Sequence, residues 1–175
     1  MFKEKGSSSG FQWKDLGNVD EGRPNLGPMT LVAVYRLMQY TMRSVLIDEY
    51  DPEIAGQILN RAGKLAGSEF CKNVLDTKLE FNEFVSDLQE KLKSMKIGIL
   101  RVEEADLEKM EFTLTVDEDL DCSGLPFSAE TVCDYDEGFI EGVLDTYTGK
   151  KFDVKEIDCW ASGERTCRFS AKLKS

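Results

Sequence analysis

The sequence predicts an α+β fold, a mainly antiparallel sheet of about four strands covered on one side by about four helices. Three observations carry this. Apolar residues recur at three- and four-residue steps in the first half of the chain, then alternate singly beyond residue 97, so the period falls from 3.6 to 2. Two pairs of alternating segments have short connections, as antiparallel hairpins do. A long helical pattern between the pairs is placed to cover the sheet they form.

Residues 1–28 read as an N-terminal arm, with G-S-S-S-G at 6–10 and the turn formers E-G-R-P-N-L-G-P at 21–28. Phe11, Trp13 and Leu16 within it are apolar enough to dock on the protein's own sheet or on a partner subunit. Residues 29–175 then read as one domain. Over 30–48, Val34, Leu37, Met38, Met42, Val45 and Leu46 form one apolar stripe on a helix. Asp51 and Pro52 suit the N-cap and first position of a second helix, running to Cys71 or Lys72. Gly63 and Gly67 on it allow close approach of another backbone, read as tight helix packing. A third helix covers 82–95, with lysines near its C-terminus where cations suit the helix dipole.

Residues 97–104 and 109–117 form the first hairpin. In the second of these, Met110, Phe112, Leu114 and Val116 face one way and polar residues the other. Ser128 is placed to cap a fourth helix over 129–147, ended by Gly149. Residues 151–160 and 165–173 make the second hairpin around S-G-E.

The charge sum, 22 cations against 33 anions, is −11, which leaves no excess of cations for nucleic-acid phosphates or an anionic membrane surface. No apolar run approaches the ~20 residues that span a bilayer, and the N-terminus lacks the apolar core of a secretory signal. A cytoplasmic protein that binds neither nucleic acid nor membrane is expected. There is no histidine, which removes imidazole bases, ligands and triads. Five cysteines cannot pair completely as disulfides within one chain, and in a reducing compartment clustered thiols point to metal or packing.

Three of those cysteines fall between residues 133 and 167. If the last hairpin turns at Gly163, Cys159 and Cys167 face each other across it, ~5 Å apart. Cys133 on the covering helix would add a third thiolate. A closed tetrahedral zinc site needs a fourth ligand, and Glu156 and Cys122 are both candidates. Glu156 and Cys159 lie three apart and should face opposite ways on a regular strand, so Glu156 requires a bulge near Ile157 or Asp158. Cys122 requires only a loop that reaches back. The competing readings are a Cys159–Cys167 disulfide, plain buried thiols, and a four-cysteine iron–sulfur site that includes Cys122.

The run C-D-Y-D-E-G-F-I-E-G-V-L, followed by E-I-D-C-W-A-S-G-E-R-T-C-R-F, resembles the 4-vinyl reductase domain. That family includes sensory domains of aromatic-responsive transcription activators, proteins linked to bacteriochlorophyll synthesis and many archaeal proteins. The likeness extends loosely to G-R-P-N-L-G and V-Y-R-L near the N-terminus, but only the last third is specific. It implies a structural zinc held by Cys133, Glu156, Cys159 and Cys167, an α+β fold related to vesicle-tethering complex subunits, and a homodimer. The family's aromatic sensors grip a phenol hydroxyl with a histidine, which is absent here, and no Gly-Lys-Ser/Thr loop or DNA-reading segment accompanies the module.

A non-catalytic module that binds a small hydrophobic or aromatic molecule follows from the resemblance, because four protein ligands leave zinc no open position. Its pocket would be lined by Phe112, Leu114, Phe139, Val143, Tyr147 and Val154, a stripe that could equally be plain core. The alternatives are an accessory subunit or enzyme component in vinyl-group reduction or another redox step, and a dimeric scaffold. The reductase reading lacks a G-x-G-x-x-G nucleotide fingerprint.

Overall fold

Alternating sequence becomes sheet where expected. In the computed structural model, which describes residues 10–128 and 130–174, β1 (Ile99–Asp106), β2 (Glu111–Asp117), β3 (Phe152–Asp158) and β4 (Cys167–Leu173) form one antiparallel sheet in the order β1-β2-β4-β3. The two hairpins join through β2 and β4, in the register Phe112↔Ala171 to Val116↔Cys167. Phe112, Leu114, Phe152, Val154, Phe169 and Ala171 are buried and form the sheet's part of the core. Residues of opposite parity carry charge, and Arg168 there binds Glu103 and Asp158.

Five helices complete the fold: α1 (Val19–Gly22), α2 (Val32–Glu49), α3 (Pro52–Val74), α4 (Phe81–Ser94) and α5 (Asp134–Thr148). Asp51 caps α3 as its sequence suggests, accepting the Ile54 N–H at 2.7 Å. Trp13 of the arm docks on α3, neither on the sheet nor on a partner. Its ring meets Phe70 edge-on, and its N–H donates to Glu69 at 2.9 Å. Residues 6–9 of the G-S-S-S-G segment and residue 129, where the sequence pattern starts the fourth helix, lie outside the described residues.

α5 begins at Asp134, later than its sequence pattern suggests, and Ser128 does not cap it. Ser128 instead donates its N–H to Ala161 O at 2.8 Å, which ties this segment to the turn of the last hairpin. Cys133 takes the N-cap position, and its N–H is accepted by Glu156 Oε2 at 3.1 Å. Two acids of α5 also serve the sheet. Glu137 accepts the Glu156 N–H at 2.8 Å, and Asp145 accepts the Phe152 N–H at 2.8 Å. β3 is an edge strand, so these carboxylates occupy N–H groups that no neighbouring strand can take.

Glycine sets the distance between α3 and α5. A Cβ at Gly63 would lie 1.9 Å from Tyr135 O, one at Gly67 2.0 Å from Phe139 O, and one at Gly138 1.9 Å from Asn60 O. The two backbones therefore touch directly along several turns, the close approach that the Gly63/Gly67 spacing suggests.

α2 sits on the body with its polar face inward. Tyr35 and Gln39 donate to the Asp121 carboxylate, and Tyr40 donates to Asp121 O at 3.0 Å. Arg36 donates to three backbone carbonyls, those of Leu120, Asp119 and Ser123. The apolar stripe of the same helix is bare: Leu37 is 67% and Met42 51% exposed, and no residue of α2 is buried.

Two stability tests follow. Gly63→Ala or Gly138→Ala must push the helices apart and should cost at least about 3 kcal/mol in urea unfolding. Gly22→Ala, where an added Cβ meets nothing within 4 Å, should change stability by no more than about 0.5 kcal/mol. Arg36→Ala strips several carbonyls of their donor and should cost about 2–3 kcal/mol. A loss below about 0.5 kcal/mol would mean that water replaces the guanidinium freely.

Candidate metal centre and apolar cavity

Four elements each bring one cysteine to the same point. Cys133 comes from the N-terminus of α5, Cys159 from the end of β3, Cys167 from the start of β4, and Cys122 from the loop after β2. All four are fully buried, and their sulfurs lie within 4.8 Å of one another. Cys133 Sγ is 3.8 Å from both Cys159 Sγ and Cys167 Sγ, and Cys122 Sγ is 3.0 Å from Cys167 Sγ. Four sulfurs at 2.3 Å from a tetrahedral zinc stand roughly 3.8 Å apart. Two of the spacings match that edge, and the Cys122–Cys167 pair is tighter. The donor set and its burial thus fit a structural zinc.

Local structure explains how the hairpin delivers its thiols. β3 bulges between Glu156, which pairs with Phe169, and Asp158, which pairs with Arg168. Ile157 is exposed, whereas Glu156 and Cys159 are both buried, so the bulge undoes the parity that would have separated them. Cys159 then opens a 3-10 turn, Trp160–Ser162, which Gly163 ends at φ 105°. Ser162 Oγ accepts the Cys159 N–H at 3.2 Å and donates to Cys159 O at 2.9 Å, which fixes the turn against the cluster.

Glu156 stands beside the four sulfurs without being one of their set. Its Oε2 accepts the Cys133 N–H, while Oε1 is buried with no hydrogen-bond partner among the described residues. Burial first, then the neighbouring Cys159 sulfur, pushes its carboxyl up to about 8. Among the thiols, mutual hydrogen bonds, those with Cys122 foremost, lower the pKa of Cys159 and raise those of Cys133 and Cys167. The cause is charge: one thiolate is stabilised by neighbouring S–H groups, but further thiolates repel it unless a cation joins them. Cys122 is the member that the resemblance leaves out. The loop path that brings it in depends on the Asp119 carboxylate, which accepts the N–H groups of Asp121 and Cys122, and on Arg36. Neither has a local sequence signature. Cys71, the fifth thiol, is buried apart from the cluster, and burial raises its pKa to about 11.

An apolar cavity lies against the cluster, between α4, α5 and strands β1 and β2. The centre of a water-sized sphere can move through about 60 Å³ of it, well beyond the roughly 10–15 Å³ that one water needs. Phe112, Leu114, Phe139 and Val143 line it as the sequence suggests. Tyr147 and Val154 are not among the lining residues. Tyr147 stacks on Phe84 with centroids 3.7 Å apart and donates its OH to Leu79 O, while Val154 is buried in the sheet's core. Much of the wall comes from α4, through Phe81, Phe84, Leu88 and Leu92, which periodicity alone reads as an ordinary core face. The only polar lining residues among those described are Asp119 and Asp136. Burial, then the negative charge of neighbouring acids, raises the pKa of both.

The fold and one stretch of sequence have known relatives. The family model of the 4-vinyl reductase domain matches residues 112–173. Two uncharacterised proteins of Methanocaldococcus jannaschii are 27% and 29% identical over 62% and 61% of this chain, and the matches span 61% and 60% of their own lengths. Among solved structures, the phenol-responsive sensory domain of the transcription activator PoxR, solved with phenol, has a TM-score of 0.68 at 14% identity, over 83% of this chain and 76% of that one. A vinyl-4-reductase family protein from M. jannaschii has a TM-score of 0.62 at 15% identity, over 97% and 100%. A trafficking protein particle complex subunit 3 from Naegleria fowleri, covalently bound to palmitic acid, has a TM-score of 0.65 at 13% identity, over 82% and 95%. Through residues 112–173, the chain belongs to the 4-vinyl reductase domain family.

Proposed function

We propose that residues 29–175 form a single domain that binds a small hydrophobic or aromatic molecule without chemically changing it, and that a structural zinc holds its thiol cluster together. The observation that carries this reading is the apolar cavity set directly against four buried thiols. Cys133, Cys159 and Cys167 supply three thiolates in this reading. The arrangement favours Cys122 over Glu156 as the fourth ligand, because the four sulfurs already share one point. Four protein ligands close the zinc shell to water and substrate, so the ion serves folding and not catalysis. The phenol-responsive PoxR domain and the palmitate-bound trafficking subunit have the same fold, which supports an apolar ligand here. No described helix is long and apolar enough to cross a membrane. Five free cysteines suit a reducing compartment, which supports a cytoplasmic location.

The bare stripe of α2 supports a homodimer. Val34, Leu37, Met38, Met42 and Val45 form an exposed apolar surface without charge, on a chain whose net charge is −11. Two copies meeting about a twofold axis would cover that stripe without bringing like charges together.

Elemental analysis and native mass spectrometry of protein prepared without chelator should find about one zinc per chain. Metal-free protein, or a visible band with bound iron, would refute the zinc assignment. Cys122→Ser should lower both zinc content and melting temperature, while Glu156→Gln should retain the metal; the opposite pattern would make Glu156 the fourth ligand. Sedimentation should show a dimer that Leu37→Asp converts to a folded monomer, and an unmodified protein that sediments as a monomer at micromolar concentration would refute the dimer.

A further inference from the structure

The cavity ends, on its thiol side, in the carboxyl groups of Asp119 and Asp136, and every other described residue that lines it is apolar or glycine. The two acids differ in what they already bind. Asp119 Oδ1 accepts the N–H groups of Asp121 at 2.7 Å and of Cys122 at 3.0 Å, so it is engaged in shaping the loop. Asp136 Oδ2 is buried and has no hydrogen-bond partner among the described residues. Asp136 lies in the first turn of α5, and its carboxylate, that of Asp119 and the Cys133 sulfur lie within 4.8 Å of one another. The free acceptor therefore sits on the wall between cavity and thiol cluster. Buried acceptors are almost always paired, and one left unpaired in an apolar chamber is explained by a partner that arrives with a ligand.

We propose that Asp136 is the polar anchor of the cavity, and that its ligand is a small apolar molecule carrying one hydrogen-bond-donating head, a hydroxyl or an amine. This rests on the reading of the cavity as a ligand site and adds the chemistry of the head. A carboxylate or phosphate head is excluded at this end. It would meet Asp119 and Asp136 directly, with Asp121, Glu156 and the thiols behind them, and no described lysine or arginine lines the chamber. An entirely apolar molecule would fill the space but leave Asp136 Oδ2 unpaired.

A matched series with one apolar body separates these cases: toluene, benzyl alcohol, benzylamine and benzoate, each titrated calorimetrically into the purified full chain. Benzyl alcohol or benzylamine should bind at least about tenfold more tightly than toluene, the worth of one good buried hydrogen bond, and benzoate should not bind. Asp136→Ala should keep toluene binding and bring the alcohol and the amine down to its level. Asp136→Asn, which exchanges one oxygen for a donor, should gain measurable benzoate binding and serves if the alanine variant does not fold. Equal affinity for toluene, alcohol and amine in the unmodified protein would overturn the anchor while leaving the cavity reading intact. So would a preference for donors that survives both substitutions, or tightest binding of benzoate. If none of the four compounds binds, the cavity reading itself fails, and the anchor with it.

Discussion

Between α3 and α5 there is no room for a single added carbon at Gly63, Gly67, Gly138 or Gly142. That backbone contact fixes where α5 lies, and much of the structure depends on where α5 lies. Its N-terminus presents the Cys133 thiol to Cys159 and Cys167. One turn further on, Glu137 reaches the backbone of β3, and near the other end Asp145 does the same. Salt bridges from Lys64 of α3 to Glu141 and Asp145 lie on the same seam, so charge neutralisation and backbone contact are achieved together. Small residues at the helix interface give α5 both its depth and its register on the sheet.

The second organising feature is electrostatic. Four thiols, Glu156, Asp119, Asp121 and Asp136 converge in one buried region of a chain that contains no histidine. Arg36 and Arg43 approach from α2, but the guanidinium of Arg36 is directed at carbonyl oxygens, and Arg43 binds Asp134 at the rim. Without a further cation, most of this acidity has to stay protonated, and the raised pKa values of Glu156, Asp119 and Asp136 express that. A divalent metal among the thiols would reverse the balance, since it lets thiolates form where protons now hold them neutral. The adjoining cavity inherits this field, which makes its closed end selective by charge as well as by shape.

α2 shows why amphipathicity alone does not orient a helix. Its stripe is apolar and would ordinarily face a core. The body it meets, however, offers the Asp121 carboxylate and a loop of open carbonyls. Tyr35, Arg36, Gln39 and Tyr40 match these, and the stripe turns outward. The helix thereby braces the loop that carries Cys122 while leaving an apolar surface free.

The sequence by itself determined the α+β class, both hairpins, the Asp51 cap, the Gly149 stop and the glycine-mediated packing of α3, because each rests on local spacing or local backbone chemistry. It also located the bulge between Glu156 and Cys159: a period of two cannot bury residues three apart unless one residue is inserted. Only the tertiary structure decided the rest. Cys122 joins the other thiols through a loop path set by distant hydrogen bonds to Asp119 and Arg36, which leave no periodic trace. α5 starts at Asp134 and not near Ser128 because Ala161 and Glu156, remote in sequence, claim the N–H groups of Ser128 and Cys133. The cavity's α4 wall and its Asp136 were equally hidden. Periodicity tells which residues share a face of a helix, but the depth at which that face meets its neighbour, and the space left between them, are set by how the elements pack.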